Sequence, residues 1–232
     1  MWQLCFVGMV LAQVDGGSGS GDIGDVLKRA QQAVVALGTY RYHMVSQERV
    51  GGTLLPENEV DLFVRETPFA VRLEYVGGPA KGRFIIYDPA VRADEFRVRE
   101  SGLLRVTGAW WVPVDSPLAK RTSNHSVREA GLGRLLDRLA RNHVMAAPLG
   151  GFAMSAPKTD AQGHRCADFR APEGKVHFDY RVTHLCSDPV TGLVTRVEGY
   201  DDAGALLERF AFTDIQRATL SDDFLHPVRA KL

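Results

Sequence analysis

The sequence has no excess of either charge. Its 232 residues include 28 Lys and Arg against 28 Asp and Glu, so the formal net charge is zero. A protein without net charge has no global field that draws it onto nucleic acid or an anionic bilayer, and the balance therefore predicts no nucleic-acid partner. Hydrophobic residues make up 45% of the chain and charged residues 24%. These ordinary values exclude wholesale disorder, collagen-like repeats and a long coiled coil.

Recognisable catalytic motifs are also missing. The sequence contains no H-E-x-x-H and no G-x-S-x-G, and the glycine-rich stretch 77–82 lacks the terminal Lys-Ser or Lys-Thr of a P-loop. Glu48, at the polar end of a strand, is interpreted as a structural cross-strand partner of Arg65 or Arg72. We therefore predict a protein that is not an enzyme and that uses no cofactor.

Cysteine is scarce, with only Cys5, Cys166 and Cys186 in the chain. If Cys5 is removed with a leader, the remaining pair permits a disulfide in an exported protein. A simple hairpin around 172–175 would place Cys166 opposite Arg181 and leave Cys186 ~16 Å away along the strand. A disulfide therefore requires a bulge or a longer loop, and two buried thiols are the alternative.

Two His-x-Cys pairs, His164 with Cys166 and His184 with Cys186, each share one face of a strand. A zinc site would bring all four side chains within ~2.0–2.3 Å of one ion. The hairpin register expected from the turn separates the two pairs, and we therefore predict no metal site.

The sequence also lacks an apolar run of the ~20 residues that span a bilayer. Residues 1–14 are apolar apart from two glutamines, and the small or modest side chains at 10–12 precede a Gly/Ser-rich stretch. This pattern predicts a signal peptide at 1–12, a flexible linker at 13–24 and a soluble periplasmic protein. The cationic start of a signal peptide is missing, since no Lys or Arg precedes Lys28. The alternative is the ordered or frayed N-terminus of a cytosolic protein.

Apolar residues at spacings of three and four predict two amphipathic helices. The first covers 25–37, with Asp22 as its N-cap and Gly38 at its end. The second is defined by one apolar stripe, formed by Leu132, Leu135, Leu136, Leu139 and Val144.

Elsewhere apolar residues alternate with polar ones, which predicts about ten antiparallel strands. The alternation includes Leu104 with Val106 and the segment 176–182. Because the strands are not interleaved with helices, a parallel α/β fold is disfavoured. We predict a mainly β (α+β) fold in which a curved antiparallel sheet wraps around two helices. It forms one domain at 25–226, followed by a tail at 227–232. Two short helices cover only part of such a sheet, and the uncovered apolar surface closes on itself or lines a cavity.

Several motifs are spread over most of residues 25–226. They include Gln-Glu-Arg-Val-Gly-Gly at 47–52, Arg-Glu-Thr-Pro-Phe-Ala-Val at 65–71, Gly-Arg at 82–83, Asp-Pro-Val-Thr-Gly-Leu at 188–193, Glu-Gly-Tyr-Asp at 198–201, and Phe-Thr-Asp at 212–214 through Asp-Phe at 223–224. Together they resemble a family of exported bacterial proteins of unknown function, distantly similar to the LolA/LolB lipoprotein-carrier superfamily. The resemblance implies an unclosed half-barrel with helices as a lid over an apolar cavity, and it supplies no catalytic residue.

The resemblance also implies a function. We expect a soluble, monomeric binding or carrier protein for a lipid or an acylated protein, with envelope proteins as further partners and transient contact with a membrane. Candidate cavity residues are Val60, Leu62, Val64, Val71, Leu73, Phe178, Tyr180, Phe210 and Phe212. Candidate lid residues, for which plain core packing is the alternative, are Leu132, Leu135, Leu136 and Leu139. The alternative function is a non-enzymatic envelope interaction module with a closed core, and an enzyme that acts on an envelope polymer is a third.

Overall fold

The computed structural model describes residues 23–117, 119–121, 123–174 and 176–230. The predicted signal peptide at 1–12, residues 13–22 of the predicted linker and the Asp22 cap lie outside the described residues. The predicted linker extends two residues too far. Ile23 and Gly24 already belong to the first helix, and Ile23 is buried. None of the described helices is long and apolar enough to cross a bilayer.

The first amphipathic helix, α1, spans Ile23–Leu37 and buries Leu27, Ala30 and Val34 on one face. It ends at Gly38, whose φ of 66° suits glycine and whose N–H donates to the Val34 carbonyl at 3.2 Å. The helix therefore ends where the sequence pattern predicts and begins two residues earlier.

The second amphipathic helix, α2, spans Leu132–Ala146 and packs against α1. The hydroxyl of Tyr40 accepts the Leu132 N–H at 2.9 Å and donates to the Glu66 carboxylate at 2.6 Å, which fixes the start of the helix on the sheet. The four predicted leucines form the buried stripe. Val144 was wrongly placed in that stripe, because its side chain is 70% exposed.

Thirteen strands are found in the described part of the chain, and all belong to one antiparallel sheet. Their bounds are β1 Thr39–Val50, β2 Thr53–Leu54, β3 Asn58–Arg65, β4 Ala70–Gly77, β5 Phe84–Tyr87, β6 Glu95–Arg99, β7 Ala109–Pro113, β8 Ala153–Met154, β9 Lys158–Thr159, β10 Arg165–Arg170, β11 Val182–Ser187, β12 Val194–Tyr200 and β13 Leu206–Arg217.

The sheet is open and has the order β7-β6-β5-β4-β3-β1-β13-β12-β11-β10-β8, while β2 pairs with β1 and β9 with β10. The edge strands β7 and β8 do not pair with each other among the described residues. Three strands contain only two residues each, so the ten longer strands agree with the predicted number. The predicted mainly β, curved half-barrel is confirmed.

The strand register shows at which of the two ends of the sheet each connection lies. The distal end carries the connections 51–57, 78–83, 100–108, 171–181 and 201–205. The proximal end carries Gly38 and the connections 66–69, 88–94 and 188–193. Helix α2 runs from the proximal to the distal end, because its start contacts Tyr40 and Asn142 near its C-terminus donates to Asp179 in the 171–181 connection.

The C-terminal segment covers part of the outer face of the sheet. A one-turn helix, α3, spans Asp222–Leu225. The ring of Phe224 lies 4.9 Å from that of Phe63, and the Arg72 guanidinium lies 4.3 Å from the same ring. The Pro227 carbonyl, in the predicted tail, accepts a hydrogen bond from Arg97 at 2.9 Å. The chain therefore remains in contact with the sheet beyond the predicted end of the domain.

Two predicted strand segments are not strands. Leu104 and Val106 belong to a 3-10 helix at Gly102–Thr107, where they are 56% and 89% exposed. At the tip of the β6–β7 hairpin no surface of the described chain covers these side chains, so their alternation with polar residues does not produce a strand. The segment 176–181 is irregular and β11 begins only at Val182, because its partner β10 ends at Arg170.

The predicted register of the β10–β11 hairpin is also wrong. Cys166 lies opposite Cys186 instead of Arg181, because the connection is eleven residues long (171–181) instead of a tight turn. The two Cα atoms are 4.0 Å apart and the sulfurs form a disulfide bond. His184 also lies near the two sulfurs, but sulfurs bonded to each other are not thiolate ligands for zinc.

Candidate functional site

A cavity of ≈ 610 Å³ lies on the inner face of the sheet and opens toward the distal end. Its walls come from β1, β3 to β7 and β13, and its other side is formed by Arg121, residues 123–131 and the first half of α2. The apolar part of the wall contains Met44, Leu62, Leu73, Ile85, Phe96, Val98, Trp110, Val112, Phe210 and Phe212. The two helices therefore leave part of the apolar trough unfilled.

Aromatic rings form one wall of the cavity. Phe210 and Phe212 are stacked with ring centroids 6.5 Å apart, and Tyr42 meets Phe212 edge to face at 5.7 Å. These rings project from the inner faces of β13 and β1, which pair with each other. Because aromatic side chains have few rotatable bonds, this wall is held rigid at little entropic cost.

Four of the nine cavity candidates line the cavity, namely Leu62, Leu73, Phe210 and Phe212. Val60, Val64 and Val71 are buried in the core and do not line it. Val64 illustrates the reason, since its side chain packs under Gly131 at the start of α2.

The other two candidates, Phe178 and Tyr180, lie in the 171–181 connection instead of a strand. The Phe178 ring packs edge to face on Phe152 with centroids 5.6 Å apart, and the Tyr180 hydroxyl donates to Glu208. Neither side chain lines the cavity.

Among the four lid candidates, only Leu135 lines the cavity. Leu132, Leu136 and Leu139 belong to the hydrophobic core. The cavity is covered mainly by the segment 123–131, called here the cover segment, which contains a 3-10 helix at Val127–Glu129. It contributes Ser123, His125, Ser126, Val127, Glu129 and Ala130 to the wall. No hydrophobic periodicity in the sequence marks this segment.

Buried charges hold the cover segment on the sheet. Glu48 at the end of β1 accepts hydrogen bonds from the Ser123 hydroxyl and the Asn124 N–H, both at 2.8 Å. Glu208 on β13 accepts from His125 Nε2 at 2.5 Å. The expected pairing of Glu48 with Arg65 or Arg72 is wrong, because Arg65 contacts Asp222 and Arg72 contacts Glu74.

Glu208 is the centre of this arrangement and is only 3% exposed. Besides His125, it accepts from Arg138 Nη2 of α2 at 2.9 Å and from the Tyr180 hydroxyl. We call Glu48, His125, Arg138, Tyr180 and Glu208 the anchor cluster. It joins the cover segment, α2 and the 171–181 connection to neighbouring strands, so it fixes the cavity wall opposite the sheet.

The anchor cluster shifts the pKa values of its members. Burial disfavours the charged imidazole of His125, but hydrogen bonds to Glu129 and Glu208 outweigh burial and raise its pKa to about 9. Burial would raise the pKa of Glu208, but its bonds and charge interactions with His125 and Arg138 lower it. Burial raises the pKa of Glu48. At neutral pH the His125–Glu208 contact is therefore an ion pair.

Glu48, His125 and Glu208 place ligand atoms within 4.8 Å of one another, which is close enough to bind a metal ion. The site already contains positive charge, since the imidazolium of His125 and the guanidinium of Arg138 both bond to Glu208. These positive side chains would repel a divalent cation, which would have to displace them from Glu208. The chemistry of the cluster therefore fits a structural ion-pair network better than a metal centre.

The mouth of the cavity lies among the distal connections. Exposed lining residues there are Pro56, Pro79, Leu104 and Arg121. Arg83 and Glu100, which also line the mouth, pair at 2.7 Å. An apolar chain entering from this end would pass exposed apolar side chains before it reached the aromatic wall.

The family model for "Protein of unknown function (DUF1571)" matches residues 37–227. No curated protein matches the chain. Among solved structures, an uncharacterized conserved protein from Thermus thermophilus is 13% identical with a TM-score of 0.51, over 90% of this chain and 96% of that one. MucB is 16% identical with a TM-score of 0.50, over 91% of this chain and 65% of MucB. A LolA superfamily protein from Nitrosomonas europaea is 7% identical with a TM-score of 0.36, over 89% and 98% of the two chains.

Proposed function

This chain belongs to the DUF1571 family, and from its cavity we propose that it is a non-enzymatic binding or carrier protein for a lipid or an acylated protein. The observation that supports the proposal is the unfilled apolar hollow of ≈ 610 Å³ beneath the cover segment. Small-molecule sites typically measure ~300–1,000 Å³ and are mostly apolar with a few polar groups. The rival function, an interaction module with a closed core, does not account for this hollow.

The energetics favour an acyl chain as ligand. Burying a methylene group yields ~0.8 kcal/mol, so a 16-carbon chain gains on the order of 12 kcal/mol before ordering costs. The stacked rings of Phe210 and Phe212 are preorganised and lose little freedom on binding. A carrier must also release its cargo. Because the cavity wall has both apolar and polar groups, binding yields only part of the free energy of full burial, and release remains feasible.

The proposed compartment is the periplasm. The disulfide between Cys166 and Cys186 is of the kind that persists in oxidising compartments such as this one. An exported protein with an acyl-chain cavity would meet lipids and acylated proteins on both sides of that space.

Competition with a fluorescent fatty acid tests the proposal. We expect saturable binding at one site, displaced by unlabelled palmitate. Ala130→Trp should weaken it by at least ~tenfold, because Ala130 lines the cavity and an indole would occupy the space of the chain. Ala36→Trp, on the exposed side of α1, is the matched control and should bind like the wild type. Absence of saturable binding, or equal binding by both variants, would refute the acyl-chain function.

A further inference from the structure

The exposed apolar residues are unevenly distributed over the molecule. Eleven large hydrophobic side chains are exposed in the described part of the chain. Eight of them lie at the distal end, namely Val76, Leu103, Leu104, Val106, Val144, Met145, Leu149 and Val176. The last four belong there because the C-terminal end of α2 bonds to Asp179 and Leu149 lies against Gly174. The exposed large hydrophobic side chains are therefore concentrated at one end of the half-barrel, and it is the end at which the cavity opens.

The most exposed of these residues form the tip of the β6–β7 hairpin. In the 3-10 helix at Gly102–Thr107, Leu103 is 93% exposed and Val106 is 89% exposed. Leu104, between them, also lines the cavity mouth. We call Leu103, Leu104 and Val106 the apolar tip. It is continuous with the cavity wall, whereas Leu103 and Val106 do not line the cavity.

The size of the apolar tip indicates what kind of partner surface it binds. A stable protein–protein interface needs ~800 Å² from each partner, and three side chains on one turn provide much less. Shallow insertion into a lipid leaflet needs no shaped partner surface, and each buried apolar side chain adds to the binding free energy. The size of the tip therefore favours a bilayer over a protein.

The charges beside the tip agree with this choice. Lys81 is exposed on the turn whose Gly82 lies against Ser101, next to the tip. Arg121 is exposed at the cavity mouth, while Glu100 is neutralised by its ion pair with Arg83. Two exposed cations, Lys81 and Arg121, therefore lie beside the tip and the cavity mouth, where they complement anionic headgroups.

The geometry points to the apolar tip as a membrane-docking element that inserts into an anionic phospholipid leaflet and sets the cavity mouth against the bilayer. Docking depends only on the tip and its neighbouring cations. Transfer of an acyl chain from the leaflet into the cavity, without passage through water, rests in addition on the proposed function. The tip would then serve as the point of exchange with the donor or acceptor membrane.

Cosedimentation with phosphatidylethanolamine/phosphatidylglycerol vesicles tests docking, using the full chain. The variant L103D/V106D removes tip residues that do not line the cavity. The matched control V35D/V190D changes two valines away from the distal end that are also largely exposed, at 78% and 91%. We expect the tip variant to bind vesicles at least ~tenfold more weakly than the wild type and the control to bind within ~twofold of it.

A second measurement separates docking from cargo binding. Displacement of the fluorescent fatty acid in vesicle-free solution should be the same for the tip variant and the wild type, which also shows that the variant is folded. Docking is overturned if the wild type does not sediment with the vesicles or if the tip and control variants sediment equally. If the wild type sediments and the tip variant does not, docking stands even when no fatty acid binds, and only the acyl-chain function then fails.

Discussion

Replacing His125 with glutamine should remove a pH-dependent part of the protein's stability. The pKa of His125 is about 9 in the folded protein and 6.5 in the reference state. A group whose pKa is raised by folding stabilises the folded state fully when the pH is below its pKa in the unfolded chain. The contribution disappears as the pH rises through its pKa in the folded protein. The shift corresponds to roughly 3 kcal/mol, and the imidazole is mostly buried, with 21% of the side chain exposed.

Urea unfolding monitored by tryptophan fluorescence measures this contribution. Between about pH 6 and pH 9.5, the wild type should lose roughly 3 kcal/mol more stability than His125→Gln, because only the wild type loses the His125–Glu208 ion pair. His177→Gln, at an exposed position in the 171–181 connection, is the control and should follow the wild type. Parallel pH profiles for wild type and His125→Gln would refute the assignment of His125 as a charged anchor.

Two further substitutions test the scaffold. Replacing Cys166 and Cys186 with serine opens a cross-link between residues 20 apart in sequence, and should cost roughly 3 kcal/mol, seen as a lower thermal midpoint. An unchanged midpoint would show that the cross-link adds no stability. Gly78→Ala should cost more than Gly51→Ala in urea unfolding. Both glycines have positive φ, but a Cβ at Gly78 would lie 2.2 Å from a backbone oxygen, whereas one at Gly51 meets nothing within 4 Å. Equal losses would contradict this clash.

The sequence was sufficient where local patterns and tertiary packing agree. Leu27, Ala30 and Val34 have helical spacing and are buried on one face of α1. Alternation predicted β3, in which Val60, Leu62 and Val64 are buried. Leu104 with Val106 shows the limit of this reasoning. Alternation implies a strand only where a neighbouring strand and a covering surface exist, and neither is present at the hairpin tip.

The candidate site was harder to predict for two physical reasons. Leu62 and Val64 project from the same face of one strand, yet Leu62 lines the cavity and Val64 packs under the start of α2. Which of them is covered depends on where a helix crosses the sheet, and periodicity does not contain that information. The anchor cluster joins residues as distant in sequence as Glu48, His125 and Glu208, and each of them is an ordinary polar residue in its local context.

The position of the leucines on α2 indicates which part of the wall opens most easily. Moving the helix would expose Leu132, Leu136 and Leu139, at ~1.5–3 kcal/mol for each buried side chain. Moving the cover segment instead exposes the partly buried Val127 and Ala130, and it exchanges the bonds of Glu48 with Ser123 and Asn124 and the bond of Glu208 with His125 for water. Opening the cover segment therefore exposes fewer fully buried apolar side chains than moving the helix does. A chain that enters at the distal mouth would then displace residues 123–131, while α2 stays packed on α1.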